Sequence, residues 1–240
     1  MTADIQLTDL SLDLQDRPVL RLPAIAMQGH RIGIVGRNGS GKTTLARVLC
    51  GLIEADKGEV LIDGVNVAKD RAKALGLVGI LFQNPDQQII FPTVSEEIAF
   101  GLTQMGIDKV QVAAQVSDIL TQFGKSHWAD ASIHTLSQGQ KHLVCLMSVA
   151  AMAPKVLILD EPFAGLDIPT KMQLTRALDG FDGTLIHISH DPRDLAGYDT
   201  VYWLEGGSIR DQGATDQVLA AFEVEMIAAG AGDDLSDIAG

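Results

Sequence analysis

An α/β fold is predicted for this chain: a parallel-stranded core with an antiparallel β flank and an inserted α-helical subdomain. Three observations predict it. The runs "RIGIVG", "VLILDEP" and "TLIHISH" are short and rich in Ile, Val and Leu, as strands buried on both faces are. Stretches of helical spacing alternate with them. The first run leads straight into "GRNGSGKT", a glycine-rich loop standing between a strand and a helix.

The elements follow in chain order. "IQLTDLSLDL" alternates apolar and polar residues and reads as a half-exposed antiparallel strand. After the glycine-rich loop, Leu45 to Leu49 begin a helix. "LGLVGILF" is another buried strand, and it exits into the polar segment "FQNPDQQIIFP". From about 83 to 154 the spacing is helical, with "SEEIAFGLTQM" and "KVQVAAQVSDILTQF" as its clearest stretches, so this region reads as a helical subdomain within one domain spanning 1–240. "TVYWLEGGSIRDQG" reads as a hairpin turning at Gly206-Gly207, "TDQVLAAFEVEMIAA" as a last helix, and 230–240 as a loose tail.

Composition excludes several roles. A formal charge of −13 does not suit a nucleic-acid binder, whose phosphate contacts need clustered Lys and Arg, nor direct docking on an anionic lipid surface. Cys50 and Cys145 sit in apolar helical patterns and read as small buried hydrophobes in a reducing cytosol. "MTADIQLTDL" lacks the basic and apolar regions of a signal peptide. The longest apolar stretch, "LVCLMSVAAMA", falls short of the roughly 20 residues of a membrane span.

The loop Gly36, Arg37, Asn38, Gly39, Ser40, Gly41, Lys42 and Thr43, followed by Thr44, fits G-x-x-x-x-G-K-[ST]. Glycines let backbone N–H groups converge on phosphate oxygens, and the helix N-terminus adds its positive dipole end. Lys42 would neutralise the β- and γ-phosphates of ATP, and Thr43 would offer its hydroxyl to Mg²⁺. "VLILDEP" delivers two carboxylates at a strand end: Asp160 to hold Mg²⁺ through water, and Glu161 to act as general base on the attacking water. His190 closes a third strand, where a neutral imidazole can bond the γ-phosphate or the water. His187 lies within that strand, and His30, His127, His134 and His142 have no constellation around them. In "LSQGQKH", Ser137 and Gln140 have the spacing of a capping box.

These motifs together resemble the ATP-binding cassette (ABC) ATPases. The resemblance rests on "GRNGSGKT", Gln83 at a strand exit, the signature-like "LSQGQ", "VLILDEP", "AGLD" and His190, in the family's order over nearly the whole chain. It implies a P-loop NTPase (RecA-like) core and a head-to-tail dimer closing around two ATP molecules. Ser137 and Gly139, with Gln138 and Gln140 beside them, would face the γ-phosphate held by the other subunit. Asp167 would cross the interface. Gln83 would link Mg²⁺ and the attacking water to a membrane partner. Two departures stand out: Gln138 occupies the family's first signature glycine, and no Phe, Tyr or Trp precedes Phe82 to stack on adenine. By spacing, Leu14 falls near the adenine position, implying looser base discrimination.

Within the family, "NPDQQI" is similar to the segment after the glutamine loop in ATPases of energy-coupling-factor (ECF) transporters, most of all those of biotin transporters, with cobalt and nickel ATPases as close competitors. There it touches a transmembrane coupling protein, which works with a membrane substrate-binding protein. Asn84, Pro85, Asp86, Gln87, Gln88, Ile89, Ile90 and Phe91 are the expected contacts. Ile89, Ile90 and Phe91 would form an exposed apolar patch, while Asp86, Glu96 and Glu97 would meet basic residues. The plainer alternative is a surface loop whose "IIF" folds into the subdomain core. A complete motif set in one chain favours a homodimer, placed peripherally on the cytoplasmic face of the cell membrane. The rival reading is a soluble ABC ATPase, such as one serving iron–sulfur assembly.

Overall fold

The structure, a computed structural model, describes residues 2–231. Eleven strands and seven α-helices follow in the order β1 (Ile5–Leu14), β2 (Arg17–Leu22), β3 (Ile25–Met27), β4 (Arg31–Val35), α1 (Lys42–Leu49), β5 (Lys57–Ile62), β6 (Val65–Asn66), α2 (Arg71–Ala74), β7 (Val78–Leu81), α3 (Val94–Gln104), α4 (Lys109–Gln122), α5 (Gln138–Ala151), β8 (Val156–Asp160), α6 (Ile168–Asp179), β9 (Thr184–Ser189), β10 (Thr200–Glu205), β11 (Ser208–Ala214) and α7 (Thr215–Ala231).

The strands form two sheets. One has the order β11-β10-β4-β9-β8-β7, parallel throughout except for β11. Every residue of β8 and β9 is buried, which is why these strands read as unbroken apolar runs. β11 is an antiparallel flank of this sheet, as the sequence suggests, and the other antiparallel strands lie elsewhere. They form a sheet of their own, β2-β1-β5-β6, with β3 also paired to β1. β1 does alternate, until Asp9 enters the left-handed region at φ 41° and the register with β5 shifts. A core of Ile, Leu and Val fills the space between the sheets and α1.

Between β7 and β8 the chain is helical: a 3₁₀ turn at Pro85–Gln87, then α3, α4 and α5, around their own apolar cluster. Asp108 caps α4 and Ser137 caps α5, where the full capping box with Gln140 is present. β10 and β11 pair across Gly206 and Gly207, at φ 53° and 77°, as a two-residue hairpin turn requires. The Gly207 N–H donates to the Ser40 carbonyl at 3.0 Å, and its own carbonyl accepts from the Arg21 N–H at 2.8 Å. α7 closes over a small cluster that includes Trp203 and Phe222. Of the tail expected at 230–240, residues from 232 onward lie outside the described residues.

Candidate functional site

A cleft of about 460 Å³ opens where β4, β8 and β9 end. Val19, Asn38, Gly39, Gly41, Lys42, Thr43, Thr44, Gln83, Glu161 and His190 line it. Gly41 sits at φ 99° just ahead of α1, so the loop turns its backbone toward the helix axis at a conformation that glycine adopts freely. At Gly36 a Cβ would stand 2.2 Å from the Leu204 carbonyl oxygen, so β10 excludes any side chain there. The loop hydroxyl Ser40 Oγ is buried with no hydrogen-bond partner.

Lys42 is buried, its Nζ donating to the Gly36 and Arg37 carbonyls at 2.8 and 2.9 Å and standing 3.8 Å from Glu161 Oε1. Burial lowers its pKa, against the opposing pull of Glu161 and Asp160. Asp160 is buried at the end of β8 and accepts from the Thr43 hydroxyl at 3.2 Å. Burial raises its pKa, and the Thr43 bond works the other way. Thr43 and Asp160 thus present hard oxygen donors side by side, the chemistry Mg²⁺ takes.

Glu161 has left-handed backbone, φ 51°, which is uncommon for a residue with a Cβ. Its N–H is held by the Ile188 carbonyl at 2.9 Å, fixing the turn against β9. The carboxylate accepts from His190 Nδ1 at 2.9 Å and from Gln83 Nε2 at 3.5 Å. A carboxylate, an imidazole and an amide from three separate elements therefore converge beside the P-loop. Among them they can orient a water and take its proton.

Ser137, Gln138, Gly139, Gln140 and Asp167 do not line this cleft. Ser137 and Gln140 cap α5, and Asp167 caps α6 through the Thr170 N–H at 3.0 Å. Gly139 packs against α6 so closely that a Cβ would lie 2.5 Å from Thr170 Cγ2. Gly139 therefore has a packing reason within its own chain.

The segment after Gln83 departs from expectation at several positions. Asp86 is engaged within the chain, accepting from Gln138 Nε2 and Lys141 Nζ, both at 2.7 Å. Glu97 is buried and accepts from the Ile90 and Phe91 N–H groups at 2.9 Å, so it holds the loop instead of facing outward. Ile89 packs on the helical core, and Phe91 lies 5.2 Å from the Phe100 ring. Only Ile90 of the apolar trio is openly exposed, at 68%. Glu96 accepts from the Thr93 hydroxyl, and the Gln88 side chain is taken up by Phe82 N–H and the Ile80 carbonyl. Val19 lines the cleft and Leu14, expected near the adenine, does not. Left-handed Gln15 and Asp16 turn the chain between β1 and β2, leaving Leu14 opposite Arg17 and exposed.

His142 is a residue the sequence did not single out. It is buried on α5, and its Nε2 donates to the Gln83 carbonyl at 3.0 Å. The contact joins positions 59 apart, so no local pattern announces it.

A family model described as ABC transporter matches residues 24–164. The chain belongs to the ABC transporter ATPases. It is 48% identical over 197 residues to the biotin transport ATP-binding protein BioM of Rhodobacter capsulatus, covering 82% of this chain and 84% of that protein. It is 36% identical to BioM of Rhizobium etli over 92% of this chain and 99% of the other. The structure of cbiO1 from Clostridium perfringens, described as part of the ABC transporter complex cbiONQ, superposes with a TM-score of 0.75 at 29% identity, covering 95% of this chain and 94% of that one. This ATPase accordingly binds and hydrolyses ATP. No helix of the described residues is long and apolar enough to cross a membrane.

Proposed function

We propose that this ATPase energises an ECF-type importer, with biotin as the transported substrate. Support comes from the likeness to the two biotin transport ATP-binding proteins and to cbiO1. The single observation that carries the importer reading is the placement of residues 83–91. One end, Gln83, lines the nucleotide cleft, and the other exposes Ile90 to solvent. Such a segment suits the transfer of a change at the γ-phosphate to a membrane protein.

In this reading the P-loop amides and Lys42 hold the phosphates, and Thr43 and Asp160, with Gln83 nearby, hold Mg²⁺. The ion supplies charge neutralisation at the transferred group. Glu161 takes the proton of the attacking water, and His190, donating through Nδ1 to Glu161, holds that carboxylate in place. Ser137 to Gln140 and Asp167 serve the cleft of a second copy, since they lie away from their own. The complex sits peripherally on the cytoplasmic membrane face, Asn84 to Phe91 against a coupling protein.

The test is co-purification of the tagged chain from detergent-solubilised membranes, with uptake of labelled biotin, cobalt and nickel scored in cells lacking it. Biotin uptake alone should fall. Ile90→Asp should reduce the recovered membrane partner several-fold and leave ATP binding intact. A chain recovered only with soluble scaffold proteins would favour the iron–sulfur type of role instead.

A further inference from the structure

A second cleft, of about 660 Å³, shares no lining residue with the first and is lined by Arg31, Phe163, Lys171, Asp191, Asp194 and Tyr198, among others. Its polar groups form a chain of contacts that leads back to the hydrolytic residues. Lys171 stands one turn into α6, the helix capped by Asp167. Its Nζ forms an ion pair with Asp194 Oδ1 and lies 5.0 Å from the centre of the Phe163 ring. Asp194 Oδ2 accepts from Ser189 Oγ at 3.1 Å, and the same hydroxyl accepts from the Asp191 N–H at 3.0 Å. Ser189 is buried and ends β9, so the next residue in the chain is His190. Phe163 follows Glu161 by two residues and packs edge-on against His187 in β9.

One ammonium therefore touches both arms that carry the hydrolytic pair. Through Asp194 and Ser189 it reaches the His190 arm, and through Phe163 it reaches the Glu161 arm. The Asp194 side chain is only 10% exposed, and among the described residues Lys171 is the only cation within ion-pair distance of it. A nearly buried carboxylate that loses its cation is costly, and the relief available is outward movement of the turn that carries it. That turn is joined directly to His190.

We propose that Lys171 is a positioning residue for ATP hydrolysis, tying α6 and its Asp167 cap to the His190–Glu161 pair. The proposal rests on the reading of Glu161 and His190 as the hydrolytic pair and of Asp167 as facing a second copy. Dimer contact at Asp167 then reaches the subunit's own hydrolytic pair through α6, Lys171 and Asp194. In this way Lys171 couples the two ATP sites.

The experiment measures steady-state hydrolysis and thermal unfolding on the tagged full chain, as purified from solubilised membranes. Lys171→Met should lower kcat on the order of tenfold, with the KM for ATP within about twofold, as expected for misplaced reacting groups with intact binding. Its Hill coefficient for ATP should fall below that of the native chain. Lys171→Arg should retain kcat. In Lys171→Met/Asp194→Asn the stranded charge is removed, so thermal stability should return while kcat stays low. Recovery of kcat together with stability in that double variant would reduce Lys171 to a counter-charge and overturn the proposal, as would a native kcat or Hill coefficient in Lys171→Met. Glu161→Gln is run alongside: native turnover there would sink the hydrolytic pair itself, a separate failure.

Discussion

At the scale of single residues, the site combines strain and burial in ways that set its response to pH. His187 is the clearest case. It is buried between Phe163 and Tyr198, its Nδ1 meets the Tyr198 hydroxyl at 2.8 Å, and its Nε2 has no partner. Burial pushes the imidazole from its ordinary 6.5 down to about 4. The unfolded chain therefore takes up a proton between these values that the folded chain refuses. Stability should rise with pH across that window and be lost as pH falls through it, by roughly 3 kcal/mol in all. His187→Phe, which keeps a ring in the aromatic stack, should flatten the dependence. Urea unfolding midpoints taken between pH 4 and 6.5 provide the check; an equally steep acid decline in the variant would place the titrating group elsewhere.

At the scale of elements, α5 grips the segment behind Gln83. Gln138, Lys141, His142 and Cys145 fall at i, i+3, i+4 and i+7, one helix face. They meet Asp86, the Gln83 carbonyl and, through a long thiol contact of 4.0 Å, the Pro85 carbonyl. Gln138, the departure from the family's glycine, thus has a local job. Gln138→Gly removes one of the two side chains that hold Asp86. Amide exchange over residues 84–88 should quicken about tenfold, while α6 is unchanged. Identical exchange would show that Lys141 alone suffices. The capping of this helix was legible because Ser137 and Gln140 are three residues apart and bond locally. Its grip on Asp86 was not, because the partners are more than fifty positions apart. The same division explains the sheets. β4, β8 and β9 announce themselves by continuous burial, whereas β5, "KGEVLI", mixes Gly, Glu and Lys into a short strand whose apolar face appears only against β1. α6 carries a readable signal in Asp167, Pro169 and the leucines at 174 and 178. "IIF" fell between the two sequence readings: Ile89 went to the core, Ile90 to solvent and Phe91 between.

At the scale of the whole molecule, the cleft and the signature turn of one chain do not meet, and the proposed function brings them together in two copies. Glu161→Gln should bind ATP with Mg²⁺ and accumulate as a closed dimer, read by light scattering behind a sizing column. A variant that stays monomeric under saturating ATP, or turns over at the native rate, would remove Glu161 from the role of base. The parallel strands and the P-loop were readable from sequence because each is local. The assembly of the cleft was not, since it draws on residues from Val19 to His190.

The hairpin turn at Gly207 carries that point further. Every residue of the phosphate-binding motifs lies at or before His190, yet the Ser40 carbonyl is fastened to an N–H at position 207, whose own carbonyl fastens β2. A Cβ at Gly207 would stand 2.2 Å from the Val19 carbonyl oxygen, so the turn is wedged tight between the nucleotide loop and the second sheet. A fragment trimmed to its recognisable motifs would keep each reacting group and lose the clamp that keeps the loop in shape. The smallest working unit of this ATPase is therefore longer than its list of motifs, and it takes in a turn that does not line the nucleotide cleft.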